Sequence, residues 1–219
     1  MIKAITFDLD NTLIDFMKMK KASSNAAAKA MVKAGLNMKV RKAEKELFEE
    51  YIKDIEGNHA FQDFLKKHDI HDERILAAAI NAHTLTKLKY LKPFPNVKPV
   101  LKKLKEKGLK LAIVTDAPRL KAFQRLDAMG IVDFFDVVVG IEDTGKMKPS
   151  PFPFKKALKM LGVEPKEAIH IGDWPDKDIL GAKRLGMKTC FARYGYLGRG
   201  KVVMADFKIE RFDEIIKFL

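Results

Sequence analysis

The sequence predicts an α/β protein: a parallel sheet core interrupted, just after its first strand, by a helical insertion. Three observations support this. Residues 2–7 are apolar and β-prone, which reads as a buried strand. From Lys110 onward, short apolar strands alternate with helices, the pattern of a parallel sheet with crossover connections. Between about Ile14 and Lys92 the alternation stops, and Ala, Lys, Glu, Met and Leu dominate.

In chain order, the strand over 2–7 is followed by helices expected near 18–34, 40–55, 60–68 and 72–90. Gly35 and Gly57 supply stops, and Asn58 and Asp72 are candidate N-caps, since short polar side chains satisfy the first free amides of a helix. Pro93 and Pro95 mark the return to the sheet, because proline cannot continue a helix. The expected division is a core of residues 1–13 and 94–219 with an insertion over 14–93. In the helix expected over 97–107, Val97, Val100, Leu101 and Leu104 share one face and Gly108 ends it, as helical periodicity and capping require. Further strands are expected over 110–115, 137–139, 168–171 and 188–191. Helices are expected over 119–129, 151–161, 176–185 and 212–218, with Gly130 and Gly162 closing the first two.

Composition bounds the function. Of 219 residues, 47% are apolar and 32% charged, which describes a globular chain and not a disordered one. No apolar run approaches the roughly 20 residues that span a bilayer, and the N-terminus lacks the order of a signal peptide. Cys190 is the only cysteine, which excludes an intrachain disulfide and a thiolate metal cluster. A cytoplasmic protein without a membrane partner is expected. The net charge of +13 would suit a nucleic acid or an acidic lipid. However, lysines alternate with acids along a helix face, as over 102–107, and no aromatics interleave with the basic clusters to give stacking platforms. Lys/Glu enrichment with only Gln62 and Gln124 as glutamines resembles a thermophile's surface. No nucleic-acid partner is expected; a positive field favours small anionic substrates.

The first strand delivers Asp8 and Asp10 from its carboxyl end. Side chains at i and i+2 of a strand point the same way, so the two carboxylates can converge on one centre. Two close carboxylates repel, and a buried pair needs a proton or a cation. The alternative is a solvated acidic turn, and this segment alone does not decide between them. Other strand ends add Thr115-Asp116, then Lys146-Met147-Lys148-Pro149, then Gly172-Asp173 with Asp178. Ligands of open α/β sheets bind outside the carboxyl ends of the strands, so these residues are expected to gather at one edge.

Each type suits phosphoryl transfer through a covalent intermediate. A carboxylate such as Asp8 can attack phosphorus, provided that a cation offsets the repulsion between anions. Magnesium prefers oxygen ligands; Asp8 and Asp173 are the expected carboxylate ligands, with Asp178 helping. Thr115 can donate to a phosphate oxygen and Lys148 can supply fixed charge. Asp10 has the spacing to protonate the leaving alcohol and then deprotonate water.

Taken together, Phe7-Asp8-Leu9-Asp10-Asn11-Thr12-Leu13, Thr115-Asp116, Lys148-Pro149 and Gly172-Asp173 with Asp178 resemble the four ordered motifs of the haloacid dehalogenase superfamily. The resemblance covers the whole chain, including a helical cap after the first motif. It implies a Rossmann-like core with a four-helix cap and magnesium-dependent phosphatase activity. It further implies Asp8 as nucleophile and Asp10 as acid/base, with the Asp10 backbone carbonyl on the metal. Thr115 and Lys148 would hold the phosphoryl group, Asp173 would complete the metal site, and backbone amides near Asn11 and Asp116 would add phosphate contacts. Trp174 and Lys177 depart from the common pattern, and Trp174 reads equally well as a buried aromatic.

Structural readings stand beside these. Thr12 suits a turn hydrogen bond, Asp176 a first-turn helix acid, and Arg119 and Lys121 helix-surface positions. His59, His68, His71 and His83 are scattered through the insertion without metal-ligand spacing. A haloacid dehalogenase would need neither Asp10 nor magnesium, and a phosphonate hydrolase would lack Asp10. A phosphomutase would share every catalytic residue, while a basic binding module would not need this intact set. The expected substrate is a small phosphorylated metabolite: a sugar phosphate, phosphoglycolate, glyceraldehyde phosphate or nucleotide. A homodimer through core or cap suits the architecture.

Overall fold

The computed structural model describes residues 1–53, 57, 59–201 and 203–218. The chain divides into two compact units, Met1–Asp15 with Lys92–Leu219, and Phe16–Leu91.

The second unit is helical, built from α1 (Phe16–Lys33), α2 (Val40–Lys53), α3 (Ala60–Lys67) and α4 (Glu73–Tyr90). Apolar residues at helical spacing make its interior. Ala43, Leu47 and Tyr51 form the buried stripe of α2; Ala43 and Leu47 cluster with Ala27, Ala28 and Met31 of α1 and Phe61, Phe64 and Leu65 of α3, and the Tyr51 ring stacks on Phe61. Asp72 caps α4, its carboxylate accepting from the Arg74 amide at 2.8 Å. The expected extension of α2 to Ile55 and the N-cap at Asn58 lie outside the described residues.

The first unit carries β1 (Ala4–Phe7), β2 (Lys110–Val114), β3 (Val137–Val139), β4 (Ala168–Gly172), β5 (Lys188–Ala192) and β6 (Phe207–Ile209). They form one sheet in the order β3-β2-β1-β4-β5-β6, every described pair parallel. This is the Rossmann-like strand order, which reverses direction between β1 and β4. All four residues of β1 are buried, as expected for a central strand covered on both faces. Around the sheet lie α5 (Val97–Glu106), α6 (Arg119–Ala128), α7 (Pro151–Leu161) and α8 (Leu180–Lys183). The apolar stripe of α7, Phe154, Ala157, Leu158 and Leu161, joins Ala112, Val114, Val137 and Val139 in one buried cluster. On α5, Val97, Val100, Leu101 and Leu104 are buried while Lys102 and Lys103 stay exposed, which accounts for the alternating lysines.

Two expected helices are present but of a different type, and one strand was not expected. The helix over 176–185 is a π-turn, Pro175–Ile179, followed by the short α8. The terminal segment Phe212–Phe218 is a 3₁₀ helix. The sheet also has a sixth strand, β6, that sequence reasoning did not anticipate; only Ile209 of its three residues is buried, too little to make an alternating pattern.

Candidate active site

Register places the site. Phe7 of β1 pairs with Ile113 on one side and Ile171 on the other, so Asp8 emerges level with the ends of β2 and β4. Its amide donates to the Ile171 carbonyl at 2.9 Å, which carries the strand geometry one residue past the last rung. Asp173 leaves β4 directly after Gly172. The π-turn then folds the chain back: the Asp178 amide donates to the Trp174 carbonyl at 2.7 Å, and the Trp174 amide donates to Asp178 Oδ2 at 2.9 Å. Gly172 makes room, because a Cβ there would collide with the Asp178 carboxylate.

Asp8, Asp173 and Asp178 each bring one carboxylate oxygen to within 4.8 Å of the others. Lys148, from the loop before α7, reaches the same point. Its ammonium donates to Asp8 Oδ1 at 2.5 Å and to Asp178 Oδ1 at 2.6 Å, and the side chain is 3% exposed. Thr12 Oγ1 lies 3.4 Å from Asp8 Oδ2 and 3.3 Å from Asp173 Oδ1, so the turn hydroxyl touches two of the three carboxylates.

The electrostatics follow from this crowding. Burial, with added repulsion from Asp178 and Asp10, pushes Asp8 up to about 7 despite the attraction of Lys148. Burial likewise raises Asp173 well above the carboxylate range, reinforced by Asp8 and Asp178. Asp178 goes the other way: burial opposes its charge, but Lys148 and His170 outweigh it and hold the group low. Burial also works against the Lys148 charge, yet Asp178, Asp8 and Asp116 hold its ammonium firmly protonated. With all groups ionised, three carboxylates face one ammonium, leaving an excess of two negative charges. An all-oxygen donor set with that excess fits a hard divalent cation, and the raised values of Asp8 and Asp173 mark where its charge is wanted.

The remaining expected residues fall into two groups. Thr115, buried at the end of β2, accepts the Ala117 amide on its Oγ1 at 3.2 Å, which orients the hydroxyl. Asn11 has a left-handed backbone, φ 61°, and turns the loop after β1. The Asp116 side chain is taken up internally: Oδ1 accepts the Lys148 amide at 2.8 Å and Oδ2 the Lys177 ammonium at 2.9 Å. Its carboxylate therefore ties the lysine loop to the π-turn. Asp10 stands apart from the three-carboxylate group; its Oδ2 accepts from Arg125 Nη1 at 2.6 Å.

Sequence reasoning passed over four supporting residues. His170, inside β4, pairs Nδ1 with Thr6 Oγ1 at 2.8 Å and faces Asp178 Oδ1 with Nε2 at 3.4 Å. Burial keeps its imidazole below the usual histidine range. A polar residue between Ile169 and Ile171 in a buried strand was a legible signal. Arg125 lies on the buried stripe of α6 with Ala122 and Leu126, a position where arginine requires an explanation. Tyr194 donates its hydroxyl to the Thr12 carbonyl at 2.7 Å. Gly195 abuts the Asn11 carbonyl so closely that a Cβ would overlap it. Nothing local in the sequence marks these last two.

A Rossmann-like sheet with acidic residues and a lysine meeting beyond β1 and β4 defines an α/β protein with a charged site at the carboxyl edge of its strands. The comparisons with known proteins agree. Residues 5–192 match the haloacid dehalogenase-like hydrolase family, and the chain belongs to that family. It is 39% identical to a glyceraldehyde 3-phosphate phosphatase of Methanopyrus kandleri, covering 99% of this chain and 96% of the relative. It is 30% identical to a phosphoglycolate phosphatase of Aquifex aeolicus, covering 100% and 97%. Among solved structures, a haloacid dehalogenase-type phosphatase from Thermococcus onnurineus superposes with a TM-score of 0.70 at 27% identity, over 99% of this chain and 97% of that one.

Proposed function

We propose that the protein is a magnesium-dependent phosphatase that hydrolyses a small phosphomonoester through an aspartyl phosphate on Asp8. The observation that carries this reading is the Lys148 ammonium bonded at once to Asp8 and Asp178, with Asp173 in reach. Asp8, Asp173 and Asp178, with the Asp10 carbonyl, would hold the magnesium. When bound, the ion supplies the charge that lets an anionic nucleophile approach an anionic phosphate.

The protein's own residues then divide the work. Asp8 attacks phosphorus: its oxygen–phosphorus bond forms as the bond to the leaving oxygen breaks, and Asp10 gives that oxygen a proton. A water next attacks the phosphoenzyme, Asp10 takes a proton from it, and the Asp8 carboxylate is released. Lys148 and Thr115 stabilise the transferring group with fixed charge and a hydroxyl donor, joined by backbone amides near Asn11 and Asp116. Lys148 stays protonated throughout, so its part is electrostatic. Substrate selection is assigned to the helical unit, Phe16–Leu91, in the role of a lid.

Glyceraldehyde 3-phosphate and phosphoglycolate head the candidate substrates, because relatives spanning nearly the whole chain are named for acting on them. The buried thiol of Cys190, pushed up to about 12 by burial, and a metabolite substrate both suit the cytoplasm. The test is phosphate release from a panel of phosphorylated metabolites with magnesium and with chelator. Magnesium-dependent release, strongest on three-carbon or two-carbon phosphates, is expected. Turnover of haloacids without any phosphoesterase activity would contradict the reading.

A further inference from the structure

Arginine 125 sits where the helix pattern calls for an apolar residue. On α6 the buried positions are Ala122, Arg125 and Leu126, the i, i+3, i+4 stripe that faces a core. The Arg125 side chain is only 4% exposed, against 20% for its partner Asp10. Burying a guanidinium costs free energy, and an apolar side chain of similar volume in such a place is commonly neutral or stabilising by comparison. Packing alone therefore does not explain an arginine here. Its geometry does: Nη1 reaches Asp10 Oδ2 at 2.6 Å across 115 residues of sequence.

The consequence is a division of the two carboxylates that leave β1. Asp8 is directed to Lys148 and the acidic group, whereas Asp10 is directed to α6. We propose that Arg125 is the positioning residue for Asp10, holding the acid/base carboxylate oriented for its proton transfers and out of the metal-binding group. This rests on the aspartyl-phosphate reading above. The contact with Arg125 fixes the direction of the Asp10 carboxyl group, and that direction decides whether it meets the water whose proton it takes while the Asp8–phosphorus bond breaks. Loss of Arg125 should therefore slow breakdown of the phosphoenzyme in particular. An aryl phosphate isolates that step, since its leaving phenolate needs little protonation.

The experiment compares wild type, Arg125→Met, Arg125→Lys, Asp10→Asn and the double variant Arg125→Met/Asp10→Asn with an aryl phosphate and magnesium. Each is measured for kcat, KM and the fraction of enzyme acid-quenched as phosphoenzyme, normalised to folded protein. General acid–base assistance is worth about 10²–10⁴-fold, so a misplaced but present carboxylate should cost on the order of 10-fold or more in kcat. The expected result for Arg125→Met is that loss with KM changed less than about threefold and the phosphoenzyme fraction raised. Arg125→Lys, which keeps a cation on a shorter fork-free side chain, should recover part of kcat. If the methionine variant does not fold, the lysine variant carries the test through its own raised phosphoenzyme fraction. In the Asp10→Asn background, losing Arg125 should cost less than about twofold, because coupled residues are not additive.

Three results would overturn the proposal. One is an unchanged phosphoenzyme fraction with unchanged kcat. Another is a loss of activity that merely tracks loss of folded protein. The third is full additivity of the two substitutions. A wild type that yields no phosphoenzyme at all would overturn the aspartyl-phosphate reading itself, and the proposal with it.

Discussion

Lys148 decides the balance of charge at this site. A single ammonium, nearly sealed from solvent, is shared by two carboxylates while a third stands close by. Removing it leaves buried carboxylates without their counter-charge, which typically costs about 3–5 kcal/mol. Lys148→Met should therefore melt at a lower temperature without metal, and magnesium should recover part of the loss. On the proposed mechanism its activity should stay depressed by about 10²–10³-fold even with saturating magnesium, since the preorganised charge assigned to the transferring group would be gone. Full activity in magnesium would show that Lys148 is only a structural cation. Neighbouring residues differ in how readable they were. Asp8, Lys148 and Asp173 announce themselves through residue type and position at strand ends. Arg125, Tyr194 and Gly195 act through partners more than 100 residues away, and no local pattern names such a partner.

At the scale of elements, two segments test how backbone serves the site. The segment after β4 opens as a π-helix, Pro175–Ile179, where the sequence suggests an α-helix, and Asp178 within it is tied to Trp174 by two hydrogen bonds and to Lys148 by an ion pair. Tertiary ties of this kind override local propensity. Gly172→Ala would drive a methyl into the Asp178 carboxylate. We expect at least a tenfold loss of activity, with weaker magnesium affinity by titration calorimetry; an unaltered affinity would mean that Asp178 is not tied to the metal. In the helical unit, α1, α2 and α4 are linked by polar contacts: Lys20 donates to the Tyr51 hydroxyl at 3.0 Å, and Tyr51 meets His83 at 2.9 Å. Burial, with Lys20 and Lys87, lowers His83 to about 4. Because the folded state resists protonating this imidazole, the unfolded chain binds the proton first. Stability from His83 is thus present above its ordinary value near 6.5 and is lost as pH falls towards about 4. His83→Gln should flatten that part of the melting-temperature profile relative to wild type. A His83 resonance titrating near its ordinary value would contradict this. The strands and the helices with wide apolar stripes were legible from periodicity, whereas β6, short and half exposed at the sheet edge, carries too little pattern to be seen.

For the whole molecule, the strand order explains why motifs scattered along the chain meet. Crossovers bring β1, β2 and β4 side by side in register, so residues at 8, 115 and 173 share one edge. The six-stranded sheet supplies the frame, and no described helix is long and apolar enough to cross a membrane. A ligand that binds only the folded state stabilises it by about 2.7 kcal/mol at a hundredfold excess over Kd. For a domain of this size each kcal/mol moves the melting point by about 2–4 °C. Saturating magnesium should accordingly raise the melting temperature by roughly 5–10 °C, reversibly with chelator, and Asp173→Asn should lose most of that rise. The central claim is tested most directly by acid-quenching the enzyme during turnover of a phosphate-labelled aryl phosphate with magnesium and mapping the labelled peptide. The account predicts acid-stable, base-labile label on the peptide carrying Asp8, and none in Asp8→Asn. Label on another residue, or turnover by Asp8→Asn near the wild-type rate, would contradict it.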